Sequence, residues 1–364
     1  MSRKACARID LKALRHNLAQ VRAAAPGAKV MAVIKANGYG HGLVRMATAL
    51  QEADGFGVAC IEEALQLREA GIKQRILLLE GFFSGDELPL IQRHGLDITV
   101  HHEAQIAYLE ALPRNNQTQS HPLSVWLKID TGMHRLGISS GKAREAYHRL
   151  RRCPFVAEDL RLLTHLACAD DPASPVTAQQ VATFQQVAGV LDGERSLANS
   201  AAILGVRDSH ADWVRPGIML YGVSPFLTGT GEDHGLKPVM TVISELIAVN
   251  HFRKGDAVGY GGAWVCPEDM PVGMVAFGYG DGYPRHAREG TPVVVNGKRV
   301  PLIGRVSMDM LCVDLRTQPK AAIGDPVQLW GRDLPVEEVA SHAGTISYEL
   351  LCGVSARVRF TEVG

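Results

Sequence analysis

The chain has 364 residues, 46% of them apolar and 21% charged, which suits one large barrel or two domains with a sizeable buried core. Lysines plus arginines equal aspartates plus glutamates at 38 each, so nothing in the charge balance points to nucleic acid or an anionic membrane surface. Seven scattered cysteines without a C-x-x-C pair suit reduced thiols in a cytoplasmic protein rather than a disulfide framework or a zinc site; no metal site is expected. The N-terminus lacks the apolar stretch of a secretory signal, and no apolar run approaches the ~20 residues of a membrane helix.

Asp10 is placed to cap a helix whose apolar positions Leu11, Leu14, Leu18 and Val21 recur at helical spacing, closed by Pro26-Gly27. Residues 30–34 form a short apolar, β-branched run that reads as a buried strand and delivers Lys35 at its end. The turn that follows, A-N-G-Y-G-H-G, is punctuated by glycines that let backbone approach a ligand. A lysine at the tip of a buried strand is poorly solvated, which favours its neutral, nucleophilic amine.

The strand-then-helix pattern repeats. Predicted strands at 57–60, 76–79, 97–100, 123–129, 160–166, 197–199 and 214–221 alternate with helices near 61–70, 88–95, 103–112, 143–150 and 176–190. Short apolar strands alternating with amphipathic helices mean parallel β-structure, and about eight such units favour a closed (β/α)8 barrel. A doubly wound open sheet would carry G-x-G-x-x-G after its first strand, which N-G-Y-G-H-G does not match. The Gly-rich segment 228–235 ends the alternation and reads as a linker. Strand-like runs at 239–249, 274–277, 292–295, 300–303, 310–315 and 326–329 follow, with an Asn296-Gly297 hairpin turn and one helix at 335–342. The expected class is therefore α/β, with residues 1–232 a barrel and residues 233–364 a mostly antiparallel β-domain.

In such a barrel the chemistry lies where the strands end. The polar residues that end or interrupt apolar strands are Lys35, Lys128, Asp130, His165, Asn199, Ser200 and Arg215. Together they form a cation-rich cup suited to an anion, with Ser200 and the backbone of Gly217 and Ile218 as the kind of donors that hold a phosphate. A lysine amine beside a phosphate site suits either a Schiff-base aldolase or a pyridoxal phosphate (PLP) enzyme. Composition and spacing do not choose between them.

A resemblance does. A-V-I-K-A-N-G-Y-G-H-G is similar to the signature around the PLP lysine of the alanine racemase family. The likeness continues in order through L-K-I-D-T-G-M-H-R-L-G, T-H-L-A, A-N-S-A, V-R-P-G-I-M-L-Y-G, V-G-Y-G-G, G-Y-G-D-G-Y, G-R-V-S-M-D-M and I-S-Y-E. The family's fold, a PLP-binding (β/α)8 barrel followed by a β-domain, agrees with the division above.

The resemblance implies roles. Lys35 carries the cofactor covalently and serves one face of the substrate Cα as base; Tyr260 serves the other. His165 and Arg215 support the tyrosine and reach the pyridine nitrogen. Tyr39, Ser200, Gly217, Ile218 and Tyr348 hold the phosphate. Arg135 and the Met308 N–H take the substrate carboxylate. Lys128, which the family often carries carbamylated, orients Arg135. Asn199, Tyr279, Arg285 and Asp309 support the site and its entry. The family's sites are shared between two chains, so a head-to-tail homodimer is expected. The rival expectations are a PLP-dependent racemase of another small or basic amino acid, a decarboxylase of the same barrel group, and a non-catalytic PLP-binding protein, which would be a barrel alone.

Overall fold

The computed structural model describes residues 4–113 and 122–364. The chain forms two compact units, one of Asn17–Leu220 with Pro225–Thr228, the other of Met1–His16, Tyr221–Ser224 and Gly229–Gly364.

The first strand, β1 (Cys6–Asp10), runs into the helix Leu11–Ala24, and Asp10 Oδ1 accepts the Ala13 N–H at 2.9 Å as the cap the sequence predicts. Then follow β2 (Lys29–Val33), β3 (Gly55–Val58), β4 (Arg75–Leu78), β5 (Asp97–Val100), β6 (Ser124–Asp130), the two-residue β7 (Ile138–Ser139), β8 (Arg161–Leu163), β9 (Arg195–Ser196) and β10 (Trp213–Val214). Their order is β5-β4-β3-β2-β10-β9-β8-β6-β7, and β5 also pairs with β6, so every strand but β7 belongs to a closed eight-stranded ring. All the pairings in that ring are parallel. Covered on both faces, these strands carry near-continuous apolar runs. Met31, Leu77, Trp126, Leu163 and Trp213 fill the interior, with Trp126 and Trp213 edge to face at 5.7 Å.

The opposite end of this barrel, where the strands begin, is polar and closed by ion pairs. Glu194 accepts from Lys29 Nζ (2.5 Å), Arg161 Nε (3.0 Å) and Trp213 Nε1 (2.8 Å). Arg161 and Arg75 share Ser124 Oγ, and Asp97 takes Arg75 and the Trp126 indole N–H. Lysine, arginine and tryptophan donors from five strands thus converge on two carboxylates. In a (β/α)8 barrel this face serves stability, leaving the other for chemistry.

In the other unit lie β11 (Met240–Phe252), β12 (Ala257–Val258), β13 (Trp264–Val265), β14 (Met270–Val275), β15 (Pro292–Val295), β16 (Lys298–Ile303), β17 (Leu311–Asp314), β18 (Pro326–Trp330) and β19 (Arg359–Val363). The pairings run β14-β17-β16-β15-β18-β11, and β11 returns to β14, closing an antiparallel circuit. The β15–β16 hairpin turns at Asn296 (φ 48°) and Gly297 (φ 74°), the left-handed pair its Asn-Gly predicts. Two helices, Val336–Ala343 and Ser347–Cys352, follow β18, and the sequence pattern shows only the first.

The expected division put residues 1–232 in the barrel. The structure differs at the start of the chain: β1 pairs antiparallel with β11 and parallel with β19, so its backbone groups are satisfied in the β-unit. Among the described residues no helix is long and apolar enough to cross a membrane, and no group of three or more His, Cys, Asp or Glu side chains is placed to hold a metal.

Candidate active site

Lys35 follows β2 after the single residue Ile34, and the backbone behind it turns left-handed. Ala36, Asn37, Gly38 and Tyr39 have φ of 53°, 54°, 63° and 50°. For L-residues this conformation costs roughly 1–2 kcal/mol each, so tertiary contacts must hold it. The Asn37 side chain accepts the Leu43 N–H at 2.9 Å, while the Asn37 N–H donates to Glu63 at 3.3 Å. His41 is fully buried, and burial pushes its pKa down to about 4, so the ring is neutral. Its Nδ1 faces the carbonyls of Tyr39 (2.8 Å) and Gly38 (3.1 Å), so the proton sits there and donates. At Gly38 a Cβ would lie 2.7 Å from the Met46 side chain, so only glycine suits that position. The turn sends the Tyr39 ring into the interior while the Lys35 side chain stays half-exposed, its Nζ 3.9 Å from a Glu80 carboxylate oxygen.

Beside Tyr39 is a cluster of anion donors. Ser200 starts the helix Ser200–Gly205, which Asn199 caps by accepting the Ala202 N–H at 3.1 Å. The Asn199 amide donates to the Leu166 carbonyl at 3.2 Å, tying the segment that follows β8 to this turn. Ser200 Oγ lies 2.8 Å from the Gly217 N and 3.4 Å from the Met219 N. A Cβ at Gly217 would stand 2.6 Å from Tyr39 Oη, so the bare glycine lets that hydroxyl lie against the backbone. In place of the predicted strand 214–221 the chain has the short β10, then Gly217, then the 3-10 turn Ile218–Tyr221; the segment is used for its N–H groups, not for a ladder.

The cations gather at the same strand ends. Arg215 is buried, and its guanidinium donates to Ser196 Oγ (2.6 Å) and to the carbonyls of Thr164 (2.6 Å) and Leu197 (3.2 Å). Burial holds its pKa down to about 10, leaving it charged at neutrality. Burial, with Arg215, Lys128, Arg135 and Lys35 around it, pushes His165 well below the ordinary imidazole range. Lys128 on β6 is likewise brought down to about 8, by burial first and then by Arg215, Arg135 and Lys35; Glu80 opposes. Arg135 itself is exposed. Asp130 pays for part-burial with hydrogen bonds from the N–H groups of Gly132, Met133 and His134 and from the His134 ring, which hold its carboxyl below the usual range. It therefore shapes the loop that presents Arg135.

Tyr260, Tyr279, Arg285, Met308, Asp309 and Tyr348 all lie in the β-unit. Tyr260 opens the 3-10 turn Tyr260–Gly262 between Gly259 (φ 74°) and Gly261 (φ 72°), and it is 66% exposed. Met308 is 52% exposed and sits against the turn that carries Tyr279: the Tyr279 N–H donates to the Ser307 carbonyl (3.0 Å) and the Gly280 N–H to the Met308 carbonyl (2.8 Å). Arg285 is exposed, and Tyr348 is partly so on the helix Ser347–Cys352. The barrel cations gather within their own unit, and in the β-unit the turns of Tyr279 and Met308–Asp309 are bonded together. Sequence reasoning passed over Glu80, although it ends an apolar strand as Lys35 does. It also passed over Arg357, which pairs with Asp281 and Asp309 and has no local signal.

Residues 9–225 match the family model for the alanine racemase N-terminal domain, and residues 239–361 that for the C-terminal domain. Alanine racemases of Shewanella woodyi and Nitrosococcus oceani are 52% and 55% identical, covering 97% and 96% of this chain and 97% of their own lengths. Among solved structures, the biosynthetic alanine racemase of Pseudomonas aeruginosa superposes with a TM-score of 0.95 at 46% identity over 100% of both chains. The Bartonella henselae enzyme, with covalently bound pyridoxal phosphate, superposes at 0.89 with 30% identity over 99% of both chains. With both domain models matched and full-length relatives at half identity or more, the chain belongs to the alanine racemase family and is an amino-acid racemase, an isomerase.

Proposed function

We propose that the chain interconverts L-alanine and D-alanine with pyridoxal phosphate held in the barrel. The observation that carries the reading is a lysine amine next to a donor cluster of phosphate character: Lys35, followed within one turn by Tyr39, whose hydroxyl lies against Gly217 and its Ser200 partner. The residues fit the group, because Gly217 lacks the Cβ that would crowd the cradle and Arg215 offers a buried, permanently charged donor. Lys35 would hold the cofactor covalently, with Tyr39, Ser200, Gly217, Ile218 and Tyr348 at its phosphate and Arg215, backed by His165, at its ring nitrogen. When bound, the cofactor supplies an electron sink that acidifies the substrate Cα–H.

The proton transfers fall to two residues of this chain. Racemisation removes a proton from one face of Cα and returns one to the other, so it needs a base on each side. The Lys35 amine serves one face. Tyr260 serves the other, and since a free phenol has a pKa of about 10, its anion needs cationic or hydrogen-bonding support, which the Arg215 charge and the neutral His165 ring supply. Arg135 and the Met308 N–H take the substrate carboxylate. Asn199, Tyr279, Arg285 and Asp309 hold these groups or narrow the approach to them. Lys128, with its pKa brought to about 8, carries a neutral amine fraction at neutral pH, which carbon dioxide can carbamylate; the added negative charge would then orient Arg135.

The sites are shared in a head-to-tail homodimer, where Tyr260 and Met308 of one copy complete the barrel of the other. Exposed Tyr260, Tyr279, Met308, Ile346 and Tyr348 are the kind of aromatic and apolar surface that a second copy covers. The place of action is the cytoplasm, in keeping with seven cysteines none of which joins a disulfide.

The test is borohydride reduction of the cofactor-loaded protein, followed by peptide mapping. The label is expected on the peptide containing Lys35. A label on any other lysine overturns the assignment.

A further inference from the structure

Arg357 carries none of the roles given above, yet it ties Asp309, which carries one, to the buried Asp281. Its Nε donates to Asp281 Oδ1 at 2.8 Å, and its terminal nitrogen pairs with Asp309 Oδ1. The two ends of this fork differ. Asp281 is fully buried; its other oxygen, Oδ2, takes the Gly278 N–H at 2.9 Å, and its backbone carbonyl takes the Ser355 N–H at 3.0 Å. A buried carboxylate left without its cation is costly, so this end anchors the guanidinium. Asp309 is 56% exposed, and an exposed ion pair adds little stability by itself. What the second end contributes is position.

The residue preceding Asp309 is Met308, and the backbone there is closely fitted. The Tyr279 and Gly280 N–H groups donate to the Ser307 and Met308 carbonyls. A Cβ at Gly278 would fall 2.3 Å from the Ser307 carbonyl oxygen, and one at Gly280 would fall 3.0 Å from Arg357 and from the Met308 oxygen. Ser355 Oγ donates to the Gly280 carbonyl at 2.9 Å, closing the third side. The turns bearing Tyr279, Met308–Asp309 and Ser355 therefore form one block with the Arg357 guanidinium across it.

We infer that Arg357 is a positioning residue for substrate: by bridging buried Asp281 to Asp309 it fixes the direction of the Met308 N–H, and with it the affinity for the substrate carboxylate. This rests on the proposed role of Met308. A planar fork is required, because a lysine ammonium is a point donor and does not span two carboxylates in fixed geometry.

The test is R357K in the full-length, cofactor-loaded protein, measured for the KM and kcat of L-alanine and for competitive inhibition by acetate, the bare carboxylate. KM and the acetate inhibition constant should both rise about tenfold, the scale of one misdirected hydrogen bond to a charged group, with kcat falling less than twofold and the cofactor absorbance unchanged. D309A, which releases only the outer end of the fork and leaves Asp281 paired, should shift both constants the same way, and it stands in for R357K if that variant does not fold. Constants unmoved in a folded variant overturn the inference. So does a loss confined to kcat that follows the melting temperature, the mark of a merely structural role. Acetate failing to compete with alanine in the unsubstituted protein would remove the carboxylate site itself, and the role of Met308 with it.

Discussion

Glu194→Gln tests whether the polar end of the barrel stabilises the fold through one carboxylate. Glu194 accepts from Lys29, Arg161 and Trp213. Part-burial raises its pKa, but the three donors outweigh it and bring the value from 4.5 to about 2. Taken whole, a shift of that size corresponds to about 3.4 kcal/mol at 1.36 kcal/mol per pKa unit. The side chain is 32% exposed, so solvent screening cuts this to about 1.5–2 kcal/mol. Because the folded-state pKa lies below the unfolded one, the contribution is complete above about pH 4.5 and is lost as pH falls through about 2. Glutamine keeps the shape and an acceptor but removes the charge, leaving Arg161, whose side chain is 8% exposed, with Asp159 and Ser124.

Urea unfolding of the full chain, followed by near-ultraviolet circular dichroism, reads this directly, since the packed Trp126–Trp213 pair reports on the barrel interior. The variant should be about 1.5–2 kcal/mol less stable at pH 7, and the difference should roughly halve by about pH 3. A difference below about 0.5 kcal/mol at pH 7, or one unchanged between pH 6 and pH 3, would refute the reasoning, because the first denies the charge a role and the second denies the depressed pKa.

Tyr260→Phe should slow exchange of the Cα proton from L-alanine in deuterium oxide by at least about a hundredfold while affecting D-alanine far less; equal losses in both directions mean that the two bases are misassigned. Gly217→Ala places a methyl 2.6 Å from Tyr39 Oη, so it should weaken retention of pyridoxal phosphate by about tenfold and cost about 1–3 kcal/mol of folding stability. Adding Tyr39→Phe should relieve the crowding, and absorbance titration of the apoprotein reads both variants; retention equal to the unsubstituted protein would remove Gly217 from the cradle. Sedimentation of the active protein should show a dimer across the concentrations at which it is assayed, whereas full activity in a monomer would refute shared sites.

What could be read in the sequence follows from how locally each feature is determined. The barrel strands are buried on both faces, so each carries its own apolar run, and that run needs no knowledge of its partners. β1 has no such run. Its five residues alternate in burial, and its partners are Met240–Ile243 of β11 and Arg359–Val363 of β19, at distances along the chain that no window spans. The catalytic candidates divide in the same way. Lys35, Lys128, His165 and Arg215 interrupt or end apolar strands, and the barrel topology alone brings them together; Glu80 sends the same signal, and its 3.9 Å approach to Lys35 places it beside a residue the same rule picked out. Tyr260, Met308 and Tyr279 sit on turns whose form depends on distant groups, and only the ordered motifs pointed to them. The left-handed run from Ala36 to Tyr39 is the limiting case. Local propensity argues against it at Ala36 and Tyr39, and what holds it is Asn37, Glu63 and the buried, neutral His41. The segment that carries the lysine is therefore the one whose conformation the surrounding fold must impose; strain of that kind persists only where the fold over-determines it, and such places cluster at functional sites.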